Sequence, residues 1–293
     1  MRGAFAGQKG FIVIAVTGAT GYTGSLLVRR LLAEGETVRC LVRPQTDAGT
    51  LEQLGAEVVR GDFEAPKGIG GALGGARIVL HLASIRYVRS VLESVNTTLE
   101  RLVLVSSLRR FSLVPDPTVD EVVAAEALVL ESKLPWVLLR PSMIYGPGDD
   151  RNISRLATRL RRRRILPIPG QGCYLHQPVY VEDVVAAILA AAAKPGIDHR
   201  SYALAGLEPL SYDALVDAVG TAIGVRPLKI HLPLWLVLCG LGAARGLGLR
   251  PAVDRAQVLR LQEDKAYSIA EAQTDLAYVP LAFAAGLNRI YGG

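Results

Sequence analysis

The stretch AVTGATGYTGSLLVRRLL, from Ala15 to Leu32, sets Gly18, Gly21 and Gly24 at intervals of three between an uncharged apolar run and a segment of helical period. The run before it, FIVIAV from Phe11 to Val16, is rich in β-branched residues and suits a strand buried on both faces of a parallel sheet. After the glycines, Leu26, Leu27, Arg30 and Leu31 alternate with Arg29 and Glu34 in a helical period, and Gly35 ends the pattern. A glycine-rich turn that opens a helix exposes backbone N–H groups beside the positive end of the macrodipole, which favours a phosphate. A tight turn that uses glycine only for φ > 0 or close packing has the same spacing, so the flanking strand and helix supply the weight.

At 293 residues, half of them hydrophobic and with no low-complexity tract, the chain has material for one large α/β domain or two lobes. Cys40, Cys173 and Cys239 are scattered without ligand spacing. They argue against a disulfide framework or a zinc site and fit a reducing compartment. The opening MRGAFAGQKG is positively charged but has no apolar core of its own, so the apolar segment after it reads as a first strand rather than a signal peptide. A cytoplasmic location is expected. The net charge of +6 is concentrated partly in RLATRLRRRRIL, where Arg155, Arg159, Arg161, Arg162, Arg163 and Arg164 crowd one segment. A solvated helix face, a site for an anionic substrate or a membrane surface, and a nucleic-acid contact compete for it. No aromatic interleaving accompanies the charge, which disfavours nucleic acid.

Strand-like runs at Thr37–Val42, Ala56–Gly61, Ala76–Ser84, Arg101–Ser107 and Pro135–Pro141 alternate with segments of helical length. This order predicts a doubly wound parallel sheet with right-handed crossovers, whose ligand sits beyond the carboxyl ends of the strands. Arg43 follows the second strand, where a chain selecting NAD more often offers an acidic residue to the ribose 2′-hydroxyl. A guanidinium suits a 2′-phosphate and hence NADP(H); an arginine merely exposed on a loop has the same appearance. Asp62, in GDF after the third strand, is placed to accept from an adenine amino group or to form a simple turn. The fourth run ends HLAS, where small Ala83 and Ser84 allow close backbone approach, and His81 within it reads as a satisfied core histidine.

Taken in order, TGATGYTG, GDFEAP, HLAS, VSS, LLRPSMIYGPG and QPVYVEDVVAAI resemble the extended and atypical short-chain dehydrogenases/reductases, the NAD(P)-dependent epimerase/dehydratase class. The resemblance spans nearly the whole chain. It implies a Rossmann-type doubly wound parallel sheet with a smaller C-terminal α/β substrate lobe. The dinucleotide domain would cover 1–146 plus a strand and helix around 176–194, and the lobe 147–175 and 195–293. By this resemblance Gly18, Thr20, Gly21, Tyr22, Thr23 and Gly24 cradle the pyrophosphate, Arg43 the adenosine phosphate and Asp62 the adenine. Leu82, Ala83 and Ser84 border the ribose, Ser106 the cofactor edge near the nicotinamide, and Pro141 to Ile144 the nicotinamide side. Tyr145 and the segment around Gln177 would face the substrate, with Ser106 or Ser107 as a hydrogen-bond donor.

The family's chemistry uses a Tyr-x-x-x-Lys pair on the helix after the fifth strand. Anchoring PTVDEVVAAEALVLESKLPW on Glu126 places Thr118 at the Tyr position and Val122 at the Lys position. No tyrosine occurs between Tyr87 and Tyr145, and Leu108 stands where many relatives carry Ser or Thr. The resemblance therefore implies either an NADP(H)-dependent reductase with a non-standard site, holding an apolar or nucleotide-linked substrate, or an NADP(H)-binding sensor or accessory subunit. Ordinary sugar-nucleotide epimerisation is disfavoured.

In the C-terminal part Asp183 is expected to cap VVAAILAAAAK, and Ser211 to cap YDALVDAVGTAIG, with Leu215, Val219 and Ile223 on one face. The uncharged run from Leu232 to Ala244 is too short for the ~20 residues of a membrane span. It reads either as a lobe helix lining a pocket or core, or as a patch that meets a membrane or partner subunit through 232–249 together with 155–164.

Overall fold

The β-branched and leucine-rich runs form one seven-stranded parallel sheet in the computed structural model, which describes residues 13–65, 68–249 and 253–292. The first six strands are β1 (Val13–Thr17), β2 (Thr37–Val42), β3 (Glu57–Arg60), β4 (Ile78–His81), β5 (Arg101–Val105) and β6 (Trp136–Pro141). Four short strands follow, β7 (Ile144–Tyr145), β8 (Ile165–Pro169), β9 (Leu175–His176) and β10 (Val179–Tyr180), then β11 (Arg200–Leu204), β12 (Leu210–Ser211) and β13 (Leu228–Leu232). The main sheet runs β11-β6-β5-β4-β1-β2-β3. Strand order reverses between β1 and β4, which opens a crevice at their carboxyl ends.

Helices cover both faces. The connections carry α1 (Tyr22–Ala33), α2 (Gly49–Gln53), α3 (Ile69–Leu73), α4 (Val88–Ser94) and α5 (Pro117–Glu131). Beyond β7 come α6 (Ile153–Arg162), α7 (Val181–Ala193), α8 (Tyr212–Ala222), α9 (Leu234–Gly246), α10 (Arg255–Arg260), α11 (Ala270–Leu276) and α12 (Phe283–Tyr291). The alternation of a doubly buried strand decides the two cores. Ile14, Val16, Leu80, Val103 and Leu139 pack with Leu27, Leu31 and Ile188 of α1 and α7. Val79, Leu102, Leu104 and Leu138 pack with Ile69, Val88 and Ala125 of α3, α4 and α5. A third cluster, with Leu160, Leu215, Val219 and Leu287, holds the smaller lobe together.

Several expectations change. Phe11 and Ile12 of the first run lie outside the described residues, as do the opening segment and Pro66. The run 76–84 stops being a strand at His81, and Ser84 instead precedes a short 3-10 turn. β11 was expected within the small lobe. It pairs in parallel with β6 as the edge of the main sheet, with Tyr202 opposite Leu139, because Tyr202 and Leu204 are apolar enough to close that core. Asp183 does not cap α7, which begins at Val181 with Tyr180 as its cap; the Asp183 carboxylate accepts the Leu281 amide at 2.8 Å instead. Ser211 caps α8 through the Ala214 amide at 3.1 Å. Helix α9 buries none of its residues, so it lines no core.

Candidate functional site

The turn between β1 and α1 lies in the crevice. Gly18 has φ +71°, and a Cβ there would stand 2.6 Å from the Ala83 nitrogen and 2.6 Å from the Leu82 carbonyl carbon. Only glycine lets β1 pass this close to the end of β4. Gly24 is packed on Gly18 itself, 2.8 Å from a hypothetical Cβ to the Gly18 carbonyl carbon. Gly21 is the N-cap of α1, donates its amide to Gly18 O at 2.9 Å, and brings no side chain to cap the helix. The first amides of a helix lack intrahelical acceptors, so those of Tyr22, Thr23 and Gly24 form a donor cradle at the positive end of the dipole. Thr20 is exposed at its rim and Thr23 half-buried. A diphosphate fits this cradle because no Cβ fills it.

Tyr22 closes one side. Its hydroxyl donates to the Pro147 carbonyl at 3.1 Å, and burial, followed by the Asp150 charge, pushes it well above the usual tyrosine range. His81 is held by Thr17, 2.7 Å from Oγ1 to Nδ1, and by the Ser84 carbonyl at 3.3 Å. It is the satisfied core histidine expected. Thr17 Oγ1 also accepts the Ala83 amide at 3.3 Å, which fixes the Leu82–Ala83 segment beneath Gly18.

On the adenosine side, Arg43 is exposed at the carboxyl end of β2. Arg60 supports this loop by donating to the carbonyls of Arg43 at 3.2 Å and Thr46 at 2.5 Å. Asp47, the nearest acid after β2, is bound to the Gly49 amide at 2.9 Å. Asp62 accepts the Glu64 amide at 3.1 Å in an Asx-type turn. Phe63 stacks on Tyr87 with centroids 5.1 Å apart.

The far end of the crevice differs from expectation. Ser106 is buried and its hydroxyl donates to Glu126 at 2.5 Å, so this group is committed to structure. Ser107 accepts the Arg109 amide at 3.1 Å and is half-buried, with its own hydrogen in no bond among the described residues. Thr118 is exposed, donating to Asp116 at 2.8 Å and accepting from Arg109 at 3.1 Å, and Val122 packs on the core. Tyr145, expected to face substrate, is fully buried between Tyr180 and Phe283. The aromatic pocket of the lobe is a better solvent for its ring than the crevice, and its hydroxyl reaches the Phe283 carbonyl at 3.4 Å. Gln177 is buried too, donating to Gly206 O at 2.7 Å and accepting from the Tyr267 amide at 2.8 Å. Pro141 is buried and Ser142 donates to the Gln177 carbonyl.

What the sequence reading missed is the cluster around Glu126. Arg140 donates to it at 2.8–3.1 Å, and Arg110 contacts it from the other side. The signal was there: a lone acid in VVAAEALVL and a lone base in WVLLRP, each inside an apolar run. A cleft of about 330 Å³ lies beside this cluster, lined by Leu108, Phe111, Arg140, Ser201 and Tyr267 among others.

A doubly wound parallel sheet with a glycine-built donor cradle at its switch point defines a dinucleotide-binding protein of the Rossmann type. The chain belongs to the NAD(P)H-binding family, whose model matches residues 18–165. A nicotinamide dinucleotide is therefore its cofactor. A second model, the 3-beta hydroxysteroid dehydrogenase/isomerase family, matches residues 120–234. The chain is 27% identical over 239 residues to a ceramide reductase of Caulobacter vibrioides, covering 75% of this chain and 74% of that one. It is 27% identical over 243 residues to the mitochondrial NADH dehydrogenase [ubiquinone] 1 alpha subcomplex subunit 9 of Dictyostelium discoideum, covering 76% and 67%. Among solved structures, the UDP-glucuronic acid 4-epimerase from Bacillus cereus in complex with NAD shares the fold, with TM-score 0.74, 20% identity and coverage of 96% and 98%.

Proposed function

We propose that this chain is an NADP(H)-dependent oxidoreductase that reduces the carbonyl of an apolar substrate, without a Tyr-x-x-x-Lys pair. The observation that carries the reading is the cradle of Gly18, Gly21 and Gly24 against the Leu82–Ala83 backbone. When bound, the dinucleotide supplies a hydride for a carbonyl carbon. The amides that open α1 hold its diphosphate, and Arg43 pairs with a 2′-phosphate. The free oxygen of Asp62 accepts the adenine amino group. Ser107 donates its hydroxyl hydrogen to the substrate carbonyl oxygen and draws the balancing proton from water, since Ser106 is held by Glu126. The ceramide reductase relative favours a lipid substrate. Three free thiols, Cys40, Cys173 and Cys239, suit action in the cytoplasm.

A second reading, NADP(H) bound without turnover in a sensor or accessory subunit, is favoured by the commitment of Ser106 and Tyr145 to the fold. The NADH dehydrogenase subunit among the relatives supports it. One experiment separates the readings. The purified protein is titrated with NADPH and NADH by nicotinamide fluorescence, then given long-chain 3-oxo substrates while the reduced-nicotinamide absorbance is followed. Substrate-dependent loss of absorbance supports the reductase. Stoichiometric binding with no turnover supports the second reading, and no binding of either nucleotide overturns both.

A further inference from the structure

Strands β8 and β13 form a parallel two-stranded ribbon whose faces differ. Leu166 and Ile168 point into the lobe core and are buried. The opposite face sets Ile165, Pro167 and Pro169 beside Leu228, Ile230 and Leu232. Ile165 is 52% exposed, Leu228 57% and Ile230 43%, and no charged residue shares that face. Asp217 and Asp213 lie behind the other face, where they engage Lys229 and His231 at 2.6 and 3.0 Å.

Helix α9 leaves the ribbon at Pro233. Leu234, Val237, Leu238, Leu241 and Ala244 share its half-buried side, while Trp235, Leu236, Cys239 and Ala243 face outward. Trp235 is 67% exposed. A helix apolar around its whole circumference is stable inside an apolar surrounding, not in water. Its 13 residues reach about 20 Å, short of a bilayer core of about 30 Å, and no helix of the described residues is long and apolar enough to cross a membrane.

The arginines stand at the ribbon's other end. The Arg164 carbonyl accepts the Leu228 amide at 2.8 Å, which sets Arg161–Arg164 and Arg226 at the leading ends of the two strands, about 16 Å from the start of α9. These five, with Arg155, Arg159 and Arg245, are exposed. None of the eight is in an ion pair among the described residues.

We propose that the apolar face of the β8–β13 ribbon, helix α9 and the arginines of 155–164 form one surface that seats this protein on an anionic lipid bilayer. Apolar side chains enter the headgroup boundary while unpaired guanidinium groups meet lipid phosphates, and a tryptophan sits where its ring is favoured. The unpaired cationic charge at the ribbon's end is complementary to an anionic bilayer, whereas a second copy of this basic chain would bring no complementary anionic surface of its own at that end. The surface is independent of the dinucleotide cradle, so either reading can fail alone.

The test uses the full chain and vesicles of phosphatidylcholine with or without phosphatidylglycerol. Of the two tryptophans, Trp136 is 3% exposed in the core, so a blue shift of emission on vesicle addition reports Trp235. The wild type is expected to co-sediment with the anionic vesicles only, and less so as salt rises. Arg162→Gln, Arg163→Gln and Arg164→Gln should each weaken binding about fivefold, the equivalent of about 1 kcal/mol per cation. Trp235→Ser with Leu236→Ser should abolish co-sedimentation, with NADPH binding serving as the check on folding. The proposal is overturned if the wild type ignores anionic vesicles, if neither set of variants weakens binding, or if ultracentrifugation shows a dimer that Trp235→Ser disperses.

Discussion

Arg140 grips the fully buried carboxylate of Glu126, with Nε 3.0 and 3.1 Å from its two oxygens and Nη2 2.8 Å from one of them. Burial alone would raise that carboxyl, but hydrogen bonds from Arg140 and Ser106 and the charges of Arg140 and Arg110 outweigh it and hold the group below the usual range. Arg140 Nη1 continues to Ser201 at 2.9 Å, so one carboxylate ties α5 to β5, β6 and β11. Removing one partner of a buried pair leaves an uncompensated charge, at a cost of about 3–5 kcal/mol. Glu126→Gln is expected to lose that much, read as a lowered urea midpoint at unchanged slope. A variant as stable as wild type would show that the two arginines find water or another anion.

The cradle makes a steric prediction. A methyl on Gly24 overlaps the Gly18 carbonyl, so Gly24→Ala must push α1 away from the turn. Overpacking of this kind costs about 1–3 kcal/mol, and the displaced amides no longer converge on one anion. NADPH affinity is expected to fall more than about tenfold while circular dichroism stays native. Unchanged affinity in a folded variant would move the diphosphate elsewhere.

In the proposed function Arg43 carries cofactor choice. Hydrogen bonds to a charged group contribute about 1.5–3 kcal/mol, so Arg43→Asp should weaken NADPH by at least about tenfold and leave NADH unchanged or improved. Competition titration of the two nucleotides measures this directly. Equal losses for both would assign Arg43 to the loop rather than to the 2′-phosphate.

Ser107 and Ser106 are adjacent but should behave differently. In the proposed reaction Ser107, with its hydrogen free, polarises the carbonyl, so Ser107→Ala is expected to lower kcat about 10²-fold at similar KM. Ser106→Ala removes one donor from Glu126 and should instead appear as lost stability. If the kinetic loss falls on Ser106, the proton-side assignment is reversed.

How much was legible beforehand depends on range. β2 was read at its observed bounds, and Gly18, Gly21 and Gly24 were read with their strand and helix, because period and turn chemistry act over a few residues. Tyr145 was misplaced because family position says where a residue sits along the chain, whereas its burial depends on Phe283, 138 residues away. β11 joins the main sheet rather than the lobe for a like reason: strand pairing across 63 residues leaves no local mark. The Glu126 cluster needed two separate charges, each odd only within its own run, to be set against each other. The Arg-rich segment and the apolar run were each visible, but their meeting through the β8–β13 ribbon was not.

Acid should unfold this protein through two histidines. Burial pulls His81 down to about 4, against a small opposing effect of the Ser84 carbonyl, and burial with the Lys265 charge pulls His176 down to about 4. His176 stacks edge-on to Tyr212, and its Nε2 is buried with no hydrogen-bond partner among the described residues. Both rings are neutral in the fold and ionise near 6.5 once unfolded. The unfolded chain therefore binds more protons between about pH 6.5 and 4, so stability is full above that window and is lost as pH falls through it. Two such groups give a slope of about 2.7 kcal/mol per pH unit at its steepest. Glu126, held low, adds its own loss only further down, as pH falls through the depressed carboxyl value. Urea midpoints at neutral and at mildly acid pH measure the slope. His176→Phe keeps a ring against Tyr212 and removes one proton site, so the slope should halve; an unchanged slope would place the acid-sensitive group elsewhere.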